Sequence, residues 1–360
     1  MAAARSFSLA LLPGLVLTAN VALGAVPLFA SEDVIEAAID APLTTLMDVR
    51  PDEAQLKGSF AWTEADGTEK RIEVKLRTRG NYRRAKHHCD FAPIRLNFRK
   101  SEVAGTEFDG QDKLKLVTHC MTLEPDFQPI ILREYLAYRL FRELTDVGYG
   151  VRLLNIRYFD TESEDEYTRY GFVIEDDKEM AQRHDLKIAK QRSFSHGDHD
   201  RVRQNLVHVF QFMIGNTEYS LVNPEPDKSC CHNVDVLSDD KGLGHIAVPF
   251  DFDFSGLVDA PYAEPNPRYP IRIVRNRYYK GLCANNDLLP ATLDLFHERR
   301  KAIFSAIKEL RSLRGPGVTA ARSARRYIRE FYKILDDPEA VELNLVAQCR
   351  TPGESNDVEP

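Results

Sequence analysis

Alternating apolar and polar residues in the first half of the chain predict β-strands. In RIEVKLRTRG (71–80), FAPIRLNFRK (91–100) and DKLKLV (112–117), apolar side chains tend to occupy every second position, as in a strand with one buried face. VRLLNIRYFD (151–160) and YTRYGFVIED (167–176) are separated by an acidic turn. These last two segments therefore predict a hairpin.

Three- and four-residue spacing of apolar side chains predicts helices further along the chain. The first helical pattern is PIILREYLAYRLFRELTD (129–146), and the second is RVRQNLVHVFQFMIGN (201–216). Two more follow at about 289–313 and 318–335. One strand pattern interrupts them, because the buried run HIAVPFDF (245–252) is expected to pair with NVDVL just upstream.

The order of these elements predicts an α+β fold with two lobes. We expect a β-rich first lobe over residues 31–176, with one packed helix, and a mainly helical second lobe over 177–350. The last ten residues, 351–360, are polar and predict a mobile tail.

Composition sets limits on the class of protein. The chain has 360 residues, of which 43% are hydrophobic and 29% charged, enough apolar material for a large core. Its formal net charge is −7, with acids and bases mixed along the chain. A protein that coats nucleic acid needs a basic face, so no nucleic-acid partner is expected.

The first 25 residues have the layout of a secretory signal peptide. Arg5 precedes an apolar stretch, and small residues follow around Ala22 and Ala25. An uncleaved membrane anchor is the alternative, but Pro13 interrupts a run that is short for a spanning helix. We therefore expect an exported protein, periplasmic or secreted, with no transmembrane segment in the mature chain.

Cysteine usage agrees with an oxidising compartment. An even number of cysteines in an exported chain predicts up to three disulfides. The six are Cys89, Cys120, Cys230, Cys231, Cys283 and Cys349. We expect a Cys89–Cys120 bridge, and different partners for the adjacent Cys230 and Cys231. A metal site formed by this adjacent pair with His232 is an alternative, although its spacing matches no usual zinc site.

Three polar clusters interrupt apolar patterns within about forty residues. They are IGNTEYS (214–220), CCHNVDVL (230–237) and VPFDFDFSG (248–256), and each carries a carboxylate or a carboxamide. Acids beside apolar runs are costly to bury unless a partner neutralises them. Oxygen ligands of this kind suit Mg²⁺ or Mn²⁺, and such a cation commonly bridges phosphates.

Four residues of these clusters are the candidate ligands and reactive groups. Glu218 and Asn233 belong to the first two clusters, and each has a simpler explanation, a surface ion pair for Glu218 and a turn for Asn233. Asp251 and Asp253 alternate with phenylalanines, so that both point to one side of a strand end. A metal or phosphate site is expected there, with a solvated sheet edge as the alternative.

The basic loop GNYRRAKHH (80–88) follows the first predicted strand, directly after Arg79. It has the charge to bind an anion such as a phosphate, and a solvated surface loop is the alternative.

These motifs together resemble a family. IGNTEYS, HN and VPFDFDFSG resemble the catalytic segment of HipA-type kinases and of CotH-type secreted kinases, both members of the protein-kinase-like superfamily. LRTRGNYRR is similar to a loop of the CotH proteins, and RYGFVIED to their segment before the hinge. The similarity covers residues 70–256, and the whole chain also resembles a family of exported bacterial proteins. The resemblance implies a bilobal kinase-like fold.

The resemblance also implies roles for individual residues. Glu218 would be the catalytic acid, and Asn233 and Asp251, with Asp253 beside them, would hold the metal. The implied nucleotide-binding residues are Arg79, Arg95, Glu134 and Glu175. Among these, Arg95 would grip the phosphates and pair with Glu134, and ATP would be the co-substrate.

Three departures from the family pattern bear on activity. Glu218 stands where the family has Asp, which displaces a carboxylate that must be accurately placed. Asn233 follows fifteen residues later, a long gap. Arg95 replaces a lysine, which changes how phosphate is held.

The sequence therefore predicts an exported protein that binds a nucleotide and a divalent metal in a cleft. It would transfer phosphate to an exported protein or to a small-molecule acceptor. Two alternatives remain open. One is an inactive binding module of the cell envelope, and the other is a metal-dependent hydrolase using Asp251 and Asp253.

Overall fold

A computed structural model describes residues 28–223, 230–239 and 244–351. The predicted signal peptide (1–25) lies outside the described residues, and so does the predicted tail beyond Thr351.

Seven strands in the first half of the chain form a closed barrel. They are β1 (Ile35–Ala41), β2 (Leu56–Thr63), β3 (Glu69–Thr78), β4 (Ile94–Asn97), β5 (Lys113–Val117), β6 (Val151–Asp160) and β7 (Glu166–Ile174). Their order around the barrel is β1-β2-β3-β4-β5-β7-β6. The parallel pairing of β1 with β6 closes it, from Ile35 opposite Leu154 to Ala41 opposite Asp160. All other neighbours in the barrel are antiparallel.

The expectation of a bilobal kinase-like fold is wrong. A kinase-like N-lobe would be an open sheet built from the later strands, whereas β1 and β2 close this sheet into a seven-stranded mixed barrel. No strand was predicted before residue 71, so both β1 and β2 were missed. The predicted strands from 71 onwards and the hairpin are confirmed, as β3 to β7.

Apolar side chains fill the barrel. Residues that alternate along the strands point inwards, and they include an aromatic cluster. In that cluster Phe60 stacks on Trp62 with ring centroids 5.6 Å apart, and Phe108 meets both rings edge-on. The barrel is therefore a packed core rather than a channel.

Helices dominate the remainder of the described chain. They are α1 (Leu43–Val49), α2 (Lys100–Val103), α3 (Gln128–Arg142), α4 (Asp177–Gln182), α5 (Arg201–Ile214), α6 (Leu289–Glu309), α7 (Arg314–Leu335) and α8 (Pro338–Val341). The backbone of α7 is non-helical at Gly315, so its regular part begins after that residue. Short 3₁₀ and π turns adjoin these helices.

A small three-stranded sheet lies among the helices. Its strands are β8 (Lys187–Ile188), β9 (Val234–Ser238) and β10 (Ile246–Pro249), in the order β10-β9-β8. The pairing expected between NVDVL and HIAVPFDF is confirmed, because β9 and β10 are antiparallel, with Val234 opposite Pro249. The ends of these two strands carry the second and third polar clusters.

Helix α3 joins the barrel to the helical part. Nearly every residue of α3 is buried, and its neighbours include β6 and β7 on one side and α6 and α7 on the other. A single apolar core runs through α3, α5, α6 and α7. Because α3 is fixed on all sides, its polar residues Glu134 and Tyr138 are held in place at the junction of the two parts.

Three disulfides are formed. Cys89–Cys120 confirms the expected bridge, and Cys283–Cys349 is a second. The expectation of separate partners for the adjacent cysteines is wrong, because Cys230 and Cys231 bond to each other. With its sulfurs in a disulfide, this pair offers no thiolate for the alternative metal site with His232. Three bridges are compatible with an exported protein.

Within the described residues, no helix has the length and apolar composition needed to cross a membrane.

Candidate functional site

The three polar clusters and the basic loop meet in a crevice between the barrel and the helical part. The crevice has a volume of about 320 Å³. Its lining residues are Arg79, Gly80, Asn81, Tyr82, Arg83, Pro93, Glu218, Cys231, His232, Asn233, Phe250, Asp251, Asp253 and Phe254. Residues remote in sequence are thus brought to one place, among them five of the eight predicted site residues. Those five are Arg79, Glu218, Asn233, Asp251 and Asp253.

The end of α5 fixes the position of Glu218. Gly215 terminates the helix in a left-handed conformation (φ 66°), where a Cβ would collide with the hydroxyl of Tyr327. Asn216 then accepts the backbone N–H of Glu218 through its Oδ1 at 2.9 Å. This side-chain turn places Glu218 on a short loop at the wall of the crevice.

Glu218 is tied to His232 across the crevice wall. Its Oε1 lies 3.3 Å from Nε2 of His232. This contact with the imidazole, opposed in part by burial, lowers the pKa of Glu218 below its usual range. The carboxylate is therefore ionised at neutral pH and is a weak proton acceptor.

Asn233 and Asp251 both have left-handed backbone conformations. Their φ angles are 52° and 58°, a region that residues other than glycine seldom occupy. Among these residues, Asn and Asp tolerate it best. Asn233 donates from Nδ2 to the carbonyl of Glu218 at 2.9 Å, and its own carbonyl accepts the N–H of Phe250 at 3.0 Å. The N–H of Asp251 donates to the hydroxyl of Tyr138 at 2.9 Å.

Such backbone strain is typical of functional sites. The surrounding bonds hold Asn233 and Asp251 in place despite a cost on the order of 1 kcal/mol or more for each. The carboxylate of Asp251 remains half exposed, with 50% of its side chain accessible. It is therefore available to a ligand in the crevice.

Arg83 is the buried centre of the charge network. Its two Nη atoms donate to both oxygens of Glu134 at 2.9 Å, and its Nε lies 3.3 Å from Oδ2 of Asp253. Burial opposes its charge, but attraction to Glu134 and the neighbouring acids dominates and raises the pKa of Arg83. The bidentate geometry indicates an ionised pair with Glu134, even though burial raises the pKa of that carboxyl.

Asp253 is buried beside Arg83. Burial raises its pKa to about 8, in spite of the opposing attraction of Arg83. The hydroxyl of Tyr262 donates to its Oδ2 at 3.0 Å. Asp253 thus orients Arg83 from within, and its assignment as a metal ligand stays a prediction.

A smaller inner cavity of about 60 Å³ adjoins the crevice. The two share Arg79, Arg83, Phe250 and Asp251, and the inner cavity is also lined by Lys115, Glu134 and Tyr138. Lys115 comes from β5, and burial lowers its pKa. Its nearest acid, Asp177, lies 4.0 Å from Nζ.

Arg79 supplies cationic charge that no carboxylate in the described part of the chain neutralises by direct contact. Its side chain is half-buried, and no carboxylate of the described residues lies within ion-pair distance of it. Burial lowers the pKa of Arg79, Asp251 opposes this shift, and Arg83 adds to it. Because Arg79 and Lys115 converge on the same joined cavities, an anion is the fitting ligand.

The three remaining predicted residues lie around the site. Arg95 is in β4, opposite Arg77 and Lys115, and it does not line either cavity. The expected Arg95–Glu134 pair is wrong, since Glu134 pairs with Arg83. Glu175 is buried and accepts the N–H of Gly150 at 2.8 Å, a role in holding the end of the hairpin.

Sequence reasoning missed the importance of Arg83 and Lys115. Arg83 was one cation in a run of basic residues, and nothing local marks it as the buried one. Lys115 occupies a polar position of an alternating strand, which usually means a solvated side chain. Only the closure of the barrel against α3 turns these two residues towards the acids.

A larger cavity of about 670 Å³ lies elsewhere, between residues 270–278 and 347–351. Two of its arginines already bond to backbone carbonyls. Arg277 donates to Tyr327, and Arg350 donates to Lys280. It holds no strained residue and no cluster of acids, so we favour the smaller crevice as the functional site.

No protein-family model and no curated protein matches this sequence. Membership of a kinase-like family stays a prediction based on motifs.

Proposed function

We propose that the crevice binds the phosphate groups of a nucleotide together with Mg²⁺ or Mn²⁺. One observation carries the proposal. Asn233 and Asp251 are held in strained conformations in a crevice whose half-buried Arg79 lies within ion-pair distance of no carboxylate in the described chain. Anion-binding cations beside cation-binding oxygens are the combination that a metal-bound phosphate requires.

The donor set fits a cation that arrives with its phosphates. Among the described residues, no group of three His, Cys, Asp or Glu side chains could hold a metal. Asp251 and the amide oxygen of Asn233 are the candidate protein ligands. Mg²⁺ is commonly held by one or two carboxylates plus substrate phosphates rather than by an all-protein cage. When bound, such a cation would neutralise phosphate charge.

The cations have a complementary role. Arg79 and Lys115 would hold phosphate oxygens, Arg79 through its fork and Lys115 as a point charge. Arg83 is saturated by Glu134 and Asp253, so its function is to fix the acids. Tyr82 and Phe254 line the same crevice and would form an aromatic wall beside a base, although one face of Tyr82 is already stacked on His88 with ring centroids 3.6 Å apart.

The reaction that suits this arrangement is transfer of phosphate to an exported protein or a small-molecule acceptor. Glu218 would accept a hydrogen bond from the hydroxyl of that acceptor and so orient it. Its lowered pKa limits its strength as a base, and a loose phosphoryl transfer makes little demand for one.

A second candidate function is nucleotide binding without turnover, in an envelope binding module. The contact between Glu218 and His232 favours it, because an ionised carboxylate already engaged by a neighbour is less available to an acceptor.

Calorimetric titration with ATP and each metal tests the binding proposal. Wild-type protein should bind ATP only when Mg²⁺ or Mn²⁺ is present. We expect Arg79→Gln to weaken binding at least tenfold, by loss of a charge-assisted bond worth about 1.5–3 kcal/mol. Asp251→Asn should lose the binding of ATP that depends on the metal, because Asn lacks the charge that holds the cation. Asn also tolerates the left-handed backbone, so the variant should still fold.

Arg71→Gln is the matched control, because Arg71 is an exposed barrel arginine that pairs with Asp40 at 2.6 Å. It should bind like wild type. Absence of any metal-dependent nucleotide binding by the wild-type protein would rule out the proposal. If the wild-type protein releases or transfers phosphate and Glu218→Gln does not, the protein is an enzyme. If the wild type binds the nucleotide but neither releases nor transfers phosphate, it is a binding module.

A further inference from the structure

The hairpin of α6 and α7 has a charge opposite to that of the rest of the chain. Residues 299–329 contain ten arginines and lysines and one acid, Glu309, a net charge of +9. The whole chain carries −7, so the residues outside this segment carry −16. A separation of this size within one protein indicates a surface with its own binding role.

The one acid of the segment does not neutralise these cations. Oε2 of Glu309 accepts a bond from Nη2 of Arg139, in α3, at 2.8 Å. Of the ten cations, Arg300 is paired, with Asp336 at 2.9 Å. Within the described part of the chain no ion pair involves the other nine, and all nine are exposed.

Helix geometry arranges many of these cations in one stripe. Arg322, Arg325, Arg326 and Arg329 recur at three- and four-residue steps along α7, and they are therefore neighbours on one face. The opposite face is buried against the core, with Ala324, Tyr327, Ile328 and Phe331. The arginines consequently point away from the protein. We call these arginines, with Lys308 and Arg311, the basic hairpin face.

Cations from both helices converge on one small cavity. Lys308, from α6, and Arg311 line it together with Arg322 and Arg325 of α7, and its volume is about 160 Å³. Four like charges around one cavity repel each other unless an anion lies between them. The apolar part of the lining comes from Ile307, Val318 and Ala321.

We propose that the basic hairpin face docks on an anionic lipid surface through the phosphates of the headgroups. Eight of the ten cations in residues 299–329 are arginines, whose planar fork matches phosphate oxygens. An array spread over two helices suits many phosphates in a plane better than one small ligand. The rest of the chain is acidic and would be repelled, so that docking also orients the protein.

This surface is independent of the crevice. None of its residues lines either the crevice or the inner cavity. Docking would place the protein at a membrane whether or not it binds a nucleotide.

Co-sedimentation of the full mature chain with lipid vesicles tests the proposal. We expect binding to vesicles of equal parts phosphatidylglycerol and phosphatidylcholine, none to phosphatidylcholine alone, and release as salt is raised. The variant Arg322→Gln/Arg325→Gln/Arg329→Gln should bind at least tenfold more weakly. Each cation near an anionic surface contributes roughly fivefold to partitioning.

The matched control is Lys57→Gln/Lys70→Gln/Lys75→Gln, which removes three exposed lysines from β2 and β3. It should bind like wild type, and thermal unfolding checks that both variants are folded. Equal loss in both variants, or no binding to phosphatidylglycerol by the wild type, would overturn the proposal. Release by inorganic phosphate at constant ionic strength would also overturn it, by assigning the cavity to a free anion.

Discussion

Arg83 is the side chain around which the crevice is built. It joins the basic loop to Glu134 on α3 and to Asp253 after β10, so that one guanidinium holds three separate parts of the chain. A buried ion pair of this kind adds little net stability, because desolvation offsets most of the attraction. Its value lies in fixing the geometry of the acids next to the proposed ligand site.

Asp253 should make stability depend on pH. Its folded pKa of about 8 lies above the value near 3.9 of an unfolded Asp. The folded state therefore binds more protons between these values, and stability falls as pH rises from about 4 to 8. In Asp253→Asn this loss disappears. Relative to wild type, the variant should gain about 3–4 kcal/mol of unfolding free energy between pH 5 and pH 8.

Urea unfolding of both proteins at the two pH values measures this difference. The exposed Asp109→Asn is the control and should show the wild-type dependence. A constant offset between wild type and Asp253→Asn across pH would mean that Asp253 is ionised throughout.

The elements that the sequence predicted are those with a clear local period. Strands β3 to β7 alternate, and helices α5 and α7 each present one apolar face. Strands β1 and β2 were missed, although the buried Ile35, Ala37, Ile39 and Ala41 alternate with the less buried Glu36, Ala38 and Asp40. Alanines weaken that signal. The closure of the barrel depends on pairing between residues 35–41 and 154–160, which no local pattern contains.

The candidate site was predictable to a similar degree. Polar clusters at the ends of a helix and two strands identified Glu218, Asn233 and Asp251. Their partners are determined by tertiary packing, so the expected Arg95–Glu134 pair was wrong and Arg83 was overlooked. A local sequence pattern can identify an acid that interrupts an apolar run. It cannot identify which arginine of a basic loop is buried.

Because β1 closes the barrel, we expect substitutions of its buried residues to destabilise the protein. Ile39 is fully buried in the barrel core, at 0% exposure, so Ile39→Ala should cost about 2–5 kcal/mol of unfolding free energy. Glu36, in the same strand, is exposed, and Glu36→Ala should cost under 1 kcal/mol. Denaturant titration gives both values. Equal small effects would mean that β1 is only loosely attached to the barrel.

The molecule as a whole consists of two parts that share one core and one crevice. Helix α3 contacts both the barrel and the C-terminal helices, and the guanidinium of Arg133 bonds across the junction to the carbonyl of Val258 at 2.9 Å. The crevice walls come from both parts, Arg79 from the barrel and Asp251 from the segment after β10. A ligand in the crevice therefore contacts both and should stabilise them together.

This arrangement predicts that a nucleotide with Mg²⁺ raises the unfolding temperature of the whole chain in one transition. At a hundredfold excess over the dissociation constant, binding stabilises by about 2.7 kcal/mol, which for a chain of this size shifts the midpoint by roughly 3–4 °C. Scanning calorimetry measures the shift, and hydrogen exchange should show added protection in both β3 and β9. Arg79→Gln should remove the shift. Two separate transitions, of which the ligand moves one, would mean that the two parts unfold independently and that the ligand binds within one of them.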